Sequence, residues 1–300
     1  MAEKPTPLKP NRTISQRLRH RRRDWTWRRR LKDEARLPDA PGREDKDFPG
    51  LAVYAIAILP KYHDWCLSMI DSLRKRGNYH GPVYVVTENP KPFEGLDNVQ
   101  TIVVPYTRYR LVTKSCKQLI LDWVGEKTLL YIDADIIIGK PLFEWYQRAR
   151  PKLALKPLVL YTGNMPVAGA YHAGLMLMDR ARVRPFFDRW LRLIRTGRYQ
   201  LDQWSMHSII TEDDVARFED EELIYLHQIL GPDRANFDPS EHRAMTPPGT
   251  FIHVTNGLMR RYSADEIKAY LSHVAGLERI PESFGREPSQ PGTTAQAKEQ

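Results

Sequence analysis

Leu129-Leu130-Tyr131-Ile132-Asp133-Ala134-Asp135-Ile136-Ile137-Ile138 decides the fold, because two carboxylates interrupt an otherwise continuous apolar run. Apolar and β-branched residues on both sides of an Asp-x-Asp predict a central parallel strand buried on both faces. Residues two apart on a strand point the same way, so Asp133 and Asp135 aim at one spot. Two like charges there repel and lose hydration unless something neutralises them. A divalent cation with oxygen ligands does so, and a nucleotide diphosphate completes its coordination shell. Two solvated acids at a strand end, cut off by Gly139 and Pro141, are the plainer alternative. An isolated Asp-x-Asp does not choose between them; the rest of the chain does.

The chain has 300 residues, enough for one large domain or two small ones. Its formal net charge of +9 suggests nucleic acid until it is located. Residues 1–36 hold 13 Lys/Arg and 4 Asp/Glu, which leaves 33 basic and 33 acidic residues in the remainder. The basicity therefore belongs to a tail, and nucleic acid is not an expected partner of the body. Cys66 and Cys116 give neither a disulfide framework nor zinc spacing, which fits a reducing, cytoplasmic compartment. No apolar run approaches the ~20 residues of a membrane span. The N-terminus carries charge without the hydrophobic segment of a secretory signal.

Residues 1–44 read as a basic disordered arm, 45–279 as the folded domain and 280–300, with Pro281, Pro288 and Pro291, as a disordered tail. Within the arm, Trp25 and Trp27 sit inside a dense cationic block, so residues 17–36 suit peripheral contact with an anionic membrane surface. Between the tails, strand and helix patterns alternate, predicting a layered α/β domain. Strands are expected at 51–59, 82–87, 99–104, 158–162, 173–178 and 250–255. Helices are expected at 62–76, where Trp65, Met69 and Leu73 recur at four-residue steps, at 114–124 and at 183–195. In the last of these, Phe186, Phe187, Trp190, Leu191 and Ile194 face inward. Ser263-Ala264-Asp265-Glu266 opens a final helix with a capping box.

Three further pieces carry chemistry. His253 closes an apolar strand and offers a nitrogen ligand to the ion held by Asp133 and Asp135, with Gly257, Arg260 and Arg261 following it. A hydrogen-bonded strand-end imidazole is the plainer alternative, and the acid pair already in hand favours the ligand. Asp202-Gln203 suits sugar hydroxyls and suits a helix N-cap equally well. Lys114 and Lys117 lie one helical turn apart, within reach of a diphosphate near the acid pair.

In chain order, Tyr62, Lys117, Asp133-Ala134-Asp135, Tyr171-His172-Ala173-Gly174, Asp202-Gln203 and His253 through Arg260 resemble the glycogenin-like retaining glycosyltransferases. The resemblance spans roughly residues 51–262. It implies the GT-A fold: α/β, with a mixed, mostly parallel central sheet and flanking helices. It further implies a metal-dependent hexosyltransferase using Mn²⁺ or Mg²⁺ and a nucleotide-diphosphate sugar, a UDP-sugar in the first instance. The acceptor would be a glycan, a lipid or a protein. Residue by residue, Asp133, Asp135 and His253 match the family's metal triad, with Ala134 beside the donor. Tyr62 falls where an aromatic stacks on uracil, and Lys117 where a lysine contacts the donor. Gly257 and Arg260 fall on the phosphate clamp, and Asp202 and Gln203 on the pair that binds and transfers the sugar. The chain departs from the family at Leu59-Pro60, in place of small polar residues, and at His172, in place of a sugar-contacting Asn. It also departs at the clamp, where Arg260 replaces Lys and one extra residue follows His253.

A nucleotide-sugar-forming nucleotidyltransferase would need a Gly-rich basic loop after the first strand. Leu59-Pro60-Lys61-Tyr62-His63 lacks it. A degenerate GT-A-fold scaffold with a membrane- or nucleic-acid-contacting arm is the alternative to an enzyme.

Overall fold

Seven consecutive buried residues make β1 (Leu51–Ala57), and their side chains divide between two hydrophobic clusters in strict alternation. Ala52, Tyr54 and Ile56 join one cluster; Leu51, Val53, Ala55 and Ala57 join the other. That is period-2 geometry with both faces covered. In the computed structural model of the protein, the described residues are 29–105, 110–161, 171–196, 202–218, 222–226, 249–255, 259 and 262–274, with Ser15, Leu18 and Thr26.

After β1 come α1 (Pro60–Lys75), β2 (Val83–Thr87), β3 (Val99–Val103), α2 (Arg110–Trp123) and β4 (Thr128–Ile132). There follow β5 (Ile136–Ile138), α3 (Leu142–Ala149), α4 (Lys152–Leu155), β6 (Leu158–Tyr161), β7 (Leu175–Asp179) and α5 (Arg180–Arg195). The described chain closes with α6 (Asp202–His207), β8 (Val215–Phe218), β9 (Leu223–Tyr225), β10 (Phe251–His253) and α7 (Ala264–Val274).

The central sheet has the order β3-β2-β1-β4-β7-β6-β8. Its first four strands are mutually parallel, and β7 runs against both β4 and β6. Helices α2 and α5 cover one face through Leu119, Ile120, Phe186, Phe187 and Trp190. Helices α1 and α3 cover the other through Met69, Leu73, Trp145 and Tyr146. A second sheet, β5-β10-β9, packs Ile137, Ile224 and Ile252 against Trp65 of α1 and Ile267 and Leu271 of α7. Of two side-chain caps, the sequence announced the one before α7. The Asp179 carboxylate accepts from the Ala181 and Arg182 N–H groups (3.1 and 3.0 Å) at the start of α5. Ser263 and Glu266 form the reciprocal box before α7.

Two features differ from expectation. The run 129–138 is not one strand: β4 stops at Ile132, the chain turns through Asp133–Asp135, and β5 leaves for the second sheet. A two-carboxylate segment cannot continue in a layer covered on both faces, so the backbone turns out where the charges begin. Residues 29–43, assigned by composition to the arm, lie on the body. Residues 29–34 are helical, Leu31 is fully buried against the α2/α5 face, and Lys32 pairs with Asp122 of α2 at 3.1 Å. The Arg36 N–H donates to Val103 O (2.9 Å) and the Val103 N–H donates back to Arg36 O (3.0 Å), covering the edge of β3. Among the described residues, no helix is long and apolar enough to cross a membrane.

Candidate active site

The site forms where β4 ends. The Asp133 N–H still pairs with Gly174 O (2.7 Å), the Ile136 N–H closes the turn onto Asp133 O (3.0 Å), and the Val254 N–H donates to Asp135 O (2.9 Å). Antiparallel pairing of β5 with β10 sets His253 opposite Ile136. The two aspartates thus converge through a turn, not through strand alternation, and β10 delivers the imidazole to them. Ligand atoms of Asp133, Asp135 and His253 all lie within 4.8 Å of one another. His253 Nε2 is 3.4 Å from Asp135 Oδ2, and its Nδ1 is buried without a partner among the described residues.

The electrostatics divide the acids. Burial pushes the Asp133 carboxyl up, and Asp135 adds to this against the pull of Lys117. Burial also works to raise Asp135, but the adjacent His253 carries it below the usual carboxylate range. Burial alone would lower His253, yet Asp135 holds its proton and raises it. Two carboxylates and an imidazole, mutually close and partly shielded from water, suit a divalent ion.

Lys117, on α2, is almost fully buried. Its ammonium faces Asp202 Oδ2 (2.8 Å), Ala173 O (3.0 Å) and Asp133 Oδ1 (3.4 Å), and sits 4.6 Å from the centre of the Tyr131 ring. Three donors with three protein acceptors make it the internal counter-ion of the two acids. The expected diphosphate contact would require it to give up one of them. Burial disfavours both charges, but Asp133 and then Asp202 raise Lys117, and Lys117 lowers Asp202. Asp202 opens α6, whose start is fixed by Trp190 Nε1 donating to Ser205 Oγ (2.8 Å) and to Asp202 O (3.3 Å). Lys114, one turn back on α2, adds a further positive potential at Asp202.

His172 is buried beside the triad, its ring centroid 4.7 Å from that of His253. Gly174 N–H donates to its Nδ1 (3.1 Å), which places the ring proton on Nε2. Burial, then the His253 and Lys117 charges, push it well below an ordinary histidine, so it is a neutral donor. Gly174 has no space for a Cβ, which would meet the Asp133 carboxylate and the His172 ring. Ala134 is buried in the turn, Gln203 is half-buried on α6, and Tyr62 is half-buried near the start of α1 with Lys61 Nζ 4.5 Å over its ring. Gly257 and Arg260 lie outside the described residues.

Two site residues escaped the sequence reading. Tyr131 donates its hydroxyl to Asp133 Oδ1. The signal was present, since the two are i and i+2 on one strand face. Tyr225 tilts against His253 at 5.1 Å through the parallel β9–β10 register. Its hydroxyl pKa is pushed up to about 12 by burial and the two aspartates. Nothing local announces a contact made by three-residue strands.

Among solved structures, the chain is similar to the galactosyltransferase LgtC in complex with donor and acceptor sugar analogues. The TM-score is 0.53 at 14% identity, covering 78% of this chain and 98% of that one. It is similar also to the apo form of the glycosyltransferase GlyE in Streptococcus pneumoniae TIGR4. There the TM-score is 0.53 at 15% identity, covering 77% of this chain and 65% of that one. The chain has the GT-A fold. No protein-family sequence model matches it, and no curated protein matches it by sequence. In such a sheet the ligand crevice lies beyond the carboxyl ends of the parallel strands, beside the first strand where the order reverses. Asp133 stands at the end of β4, the neighbour of β1 on that reversing side.

Proposed function

We propose that this chain is a metal-dependent glycosyltransferase that moves a hexose from a nucleotide-diphosphate sugar to a glycan, lipid or protein acceptor with retention. The carrying observation is the convergence of Asp133, Asp135 and His253 within 4.8 Å at the carboxyl edge of a GT-A sheet. A UDP-sugar is the first donor to test, from the family resemblance. The same reading assigns the protein to the cytoplasm, with residues 17–36 touching an anionic membrane surface.

Asp133, Asp135 and His253 would hold Mn²⁺ or Mg²⁺. When bound, the ion supplies positive charge to the leaving diphosphate as the anomeric C–O bond breaks. The bond's electron pair goes to the β-phosphate oxygen, which then takes the acceptor hydroxyl's proton as the new glycosidic bond forms. No separate general base is needed. Lys117 keeps Asp202 ionised, and that carboxylate opposes the positive charge growing at the anomeric carbon. His172 offers a neutral N–H to a donor oxygen, and Gln203 offers an amide to sugar hydroxyls.

A donor-hydrolysis screen across nucleotide sugars, with and without Mn²⁺ and then with a glycan acceptor panel, tests this. Release of nucleoside diphosphate from one donor only with metal supports it. Absence of metal-dependent hydrolysis together with absence of metal-dependent nucleotide binding in calorimetry would leave a scaffold.

A further inference from the structure

On the side of Asp133 away from β1, aromatic rings lead from Asp202 to an exposed arginine on the outermost strand. Ladder pairing sets Tyr131, Met176, Leu160 and Arg217 in one row across β4, β7, β6 and β8. The first three face the α2/α5 side of the sheet, the side from which Lys117 and Asp202 enter the site. Arg217, two residues beyond Val215 of the same cluster, faces that side too and is exposed. With strands about 4.8 Å apart, it lies three spacings, about 14 Å, from β4.

Tyr171 and α6 fill the interval. The Tyr171 ring stacks on that of His207 (6.0 Å between centroids, 18° between planes), and the half-buried Trp204 ring lies 6.0 Å from His207. Arg217 Nε donates to the Tyr171 hydroxyl at 3.3 Å, and its guanidinium carbon is 6.0 Å from the centre of that ring. An arginine that merely blunts a sheet edge swings in solvent; this one is held at Nε, leaving two Nη groups as a fork. Among the described residues no carboxylate pairs with that fork, and Glu212 acts on it only as a weaker charge.

We propose that Arg217 reads an anion, a carboxylate or a phosphate, on a glycan acceptor, with Trp204 the surface for a sugar ring between that anion and the point of transfer. This rests on the transferase reading above and assigns its acceptor to the acidic glycans. The ligand crevice of the sheet lies on the β1 side of Asp133, which leaves the β7–β6–β8 side to the acceptor. A guanidinium fork meets two oxygens of a carboxylate or phosphate and finds no such pair on a neutral sugar. The indole of Trp204 offers an apolar face to the C–H face of a pyranose. Three strand spacings from the acid pair, the anion belongs to a unit beyond the one that receives the hexose.

The test is a transfer assay of the full chain with Mn²⁺ and the donor it hydrolyses. Its acceptors are matched di- and trisaccharides of glucose and galactose: neutral, or with a 6-carboxylate or a 6-phosphate on one unit. The expected result is a KM about tenfold lower for an acidic member than for its neutral match, with the charge on a unit other than the receiving one. Whichever acidic arm is favoured names the group. In Arg217→Gln the acidic-to-neutral ratio should fall toward unity, and Arg217→Lys should restore part of it. Equal KM across each pair, a preference unchanged in Arg217→Gln, or donor hydrolysis without transfer to any member overturns anion reading by Arg217 and leaves the transferase intact. Absence of metal-dependent donor hydrolysis removes the transferase reading and this one with it. The wild-type pairs alone decide the point where a variant does not fold.

Discussion

Asp135 has His253 as its close partner, whereas Asp133 faces Lys117 and Tyr131, so the two acids are not equivalent. A ligand that binds the folded chain through them stabilises it by mass action, by about 2.7 kcal/mol at a hundredfold excess over its dissociation constant. We expect Mn²⁺ to raise the melting temperature of the wild-type chain by several degrees and not to move Asp135→Asn, whose metal-dependent turnover is lost. A variant with full donor hydrolysis would contradict the metal assignment. Lys117 makes a different prediction. Removing one partner of a buried charge cluster leaves the others uncompensated, which costs about 3–5 kcal/mol. Lys117→Met should therefore lower stability in urea by about that much, and added Mn²⁺ should recover part of it by neutralising Asp133. A loss under 1 kcal/mol would show that the ammonium is not the counter-ion described above.

At the scale of elements, what the sequence made legible was what repeats. Buried runs at 51–57 and 83–87, the Trp65-Met69-Leu73 stripe and the Ser263/Glu266 box all lie in one stretch of chain and all appear in the structure. The departure of β5 into a second sheet was not legible, because it depends on pairing with β10, far along the chain. Three-residue strands such as β9 carry no periodicity, and the Tyr171–Arg217 contact depends on β8 lying beside β6. Leu31 looked like one apolar residue in a charged tail; its burial follows from partners on α2 and α5. Asp122 joins these pieces, meeting Lys32 at 3.1 Å and Arg184 of α5 at 2.8 Å. Burial tends to raise its carboxyl, but Arg184 and Lys32 hold it below the ordinary aspartate range. A carboxyl lowered in the folded state contributes stability above its unfolded pKa and loses it as pH falls through the folded one. Asp122→Asn should cost about 1 kcal/mol at pH 7, a cost that shrinks toward zero once pH drops below about 4. A pH-independent difference in urea midpoints would rule out this charge linkage.

For the whole molecule, the decisive quantity is where the charge sits. Residues 1–36 carry a net +9, and the remaining chain is balanced. Nine of the arm's Lys/Arg precede Arg29, before the segment that docks through Leu31 and Arg36. Each basic residue near an anionic surface contributes about 1 kcal/mol, and indole side chains favour headgroup depth. A chain lacking residues 1–28 therefore keeps the body's anchor and its site. It should hydrolyse donor at the wild-type rate while losing cosedimentation with vesicles containing anionic lipid. Wild-type binding to those vesicles should weaken with added salt and vanish on zwitterionic ones, as surface attraction requires. Vesicle binding that survives the deletion would place the membrane contact on the body. Duplex DNA bound by the full chain with a steep salt slope, alongside no vesicle binding, would assign the arm to nucleic acid instead.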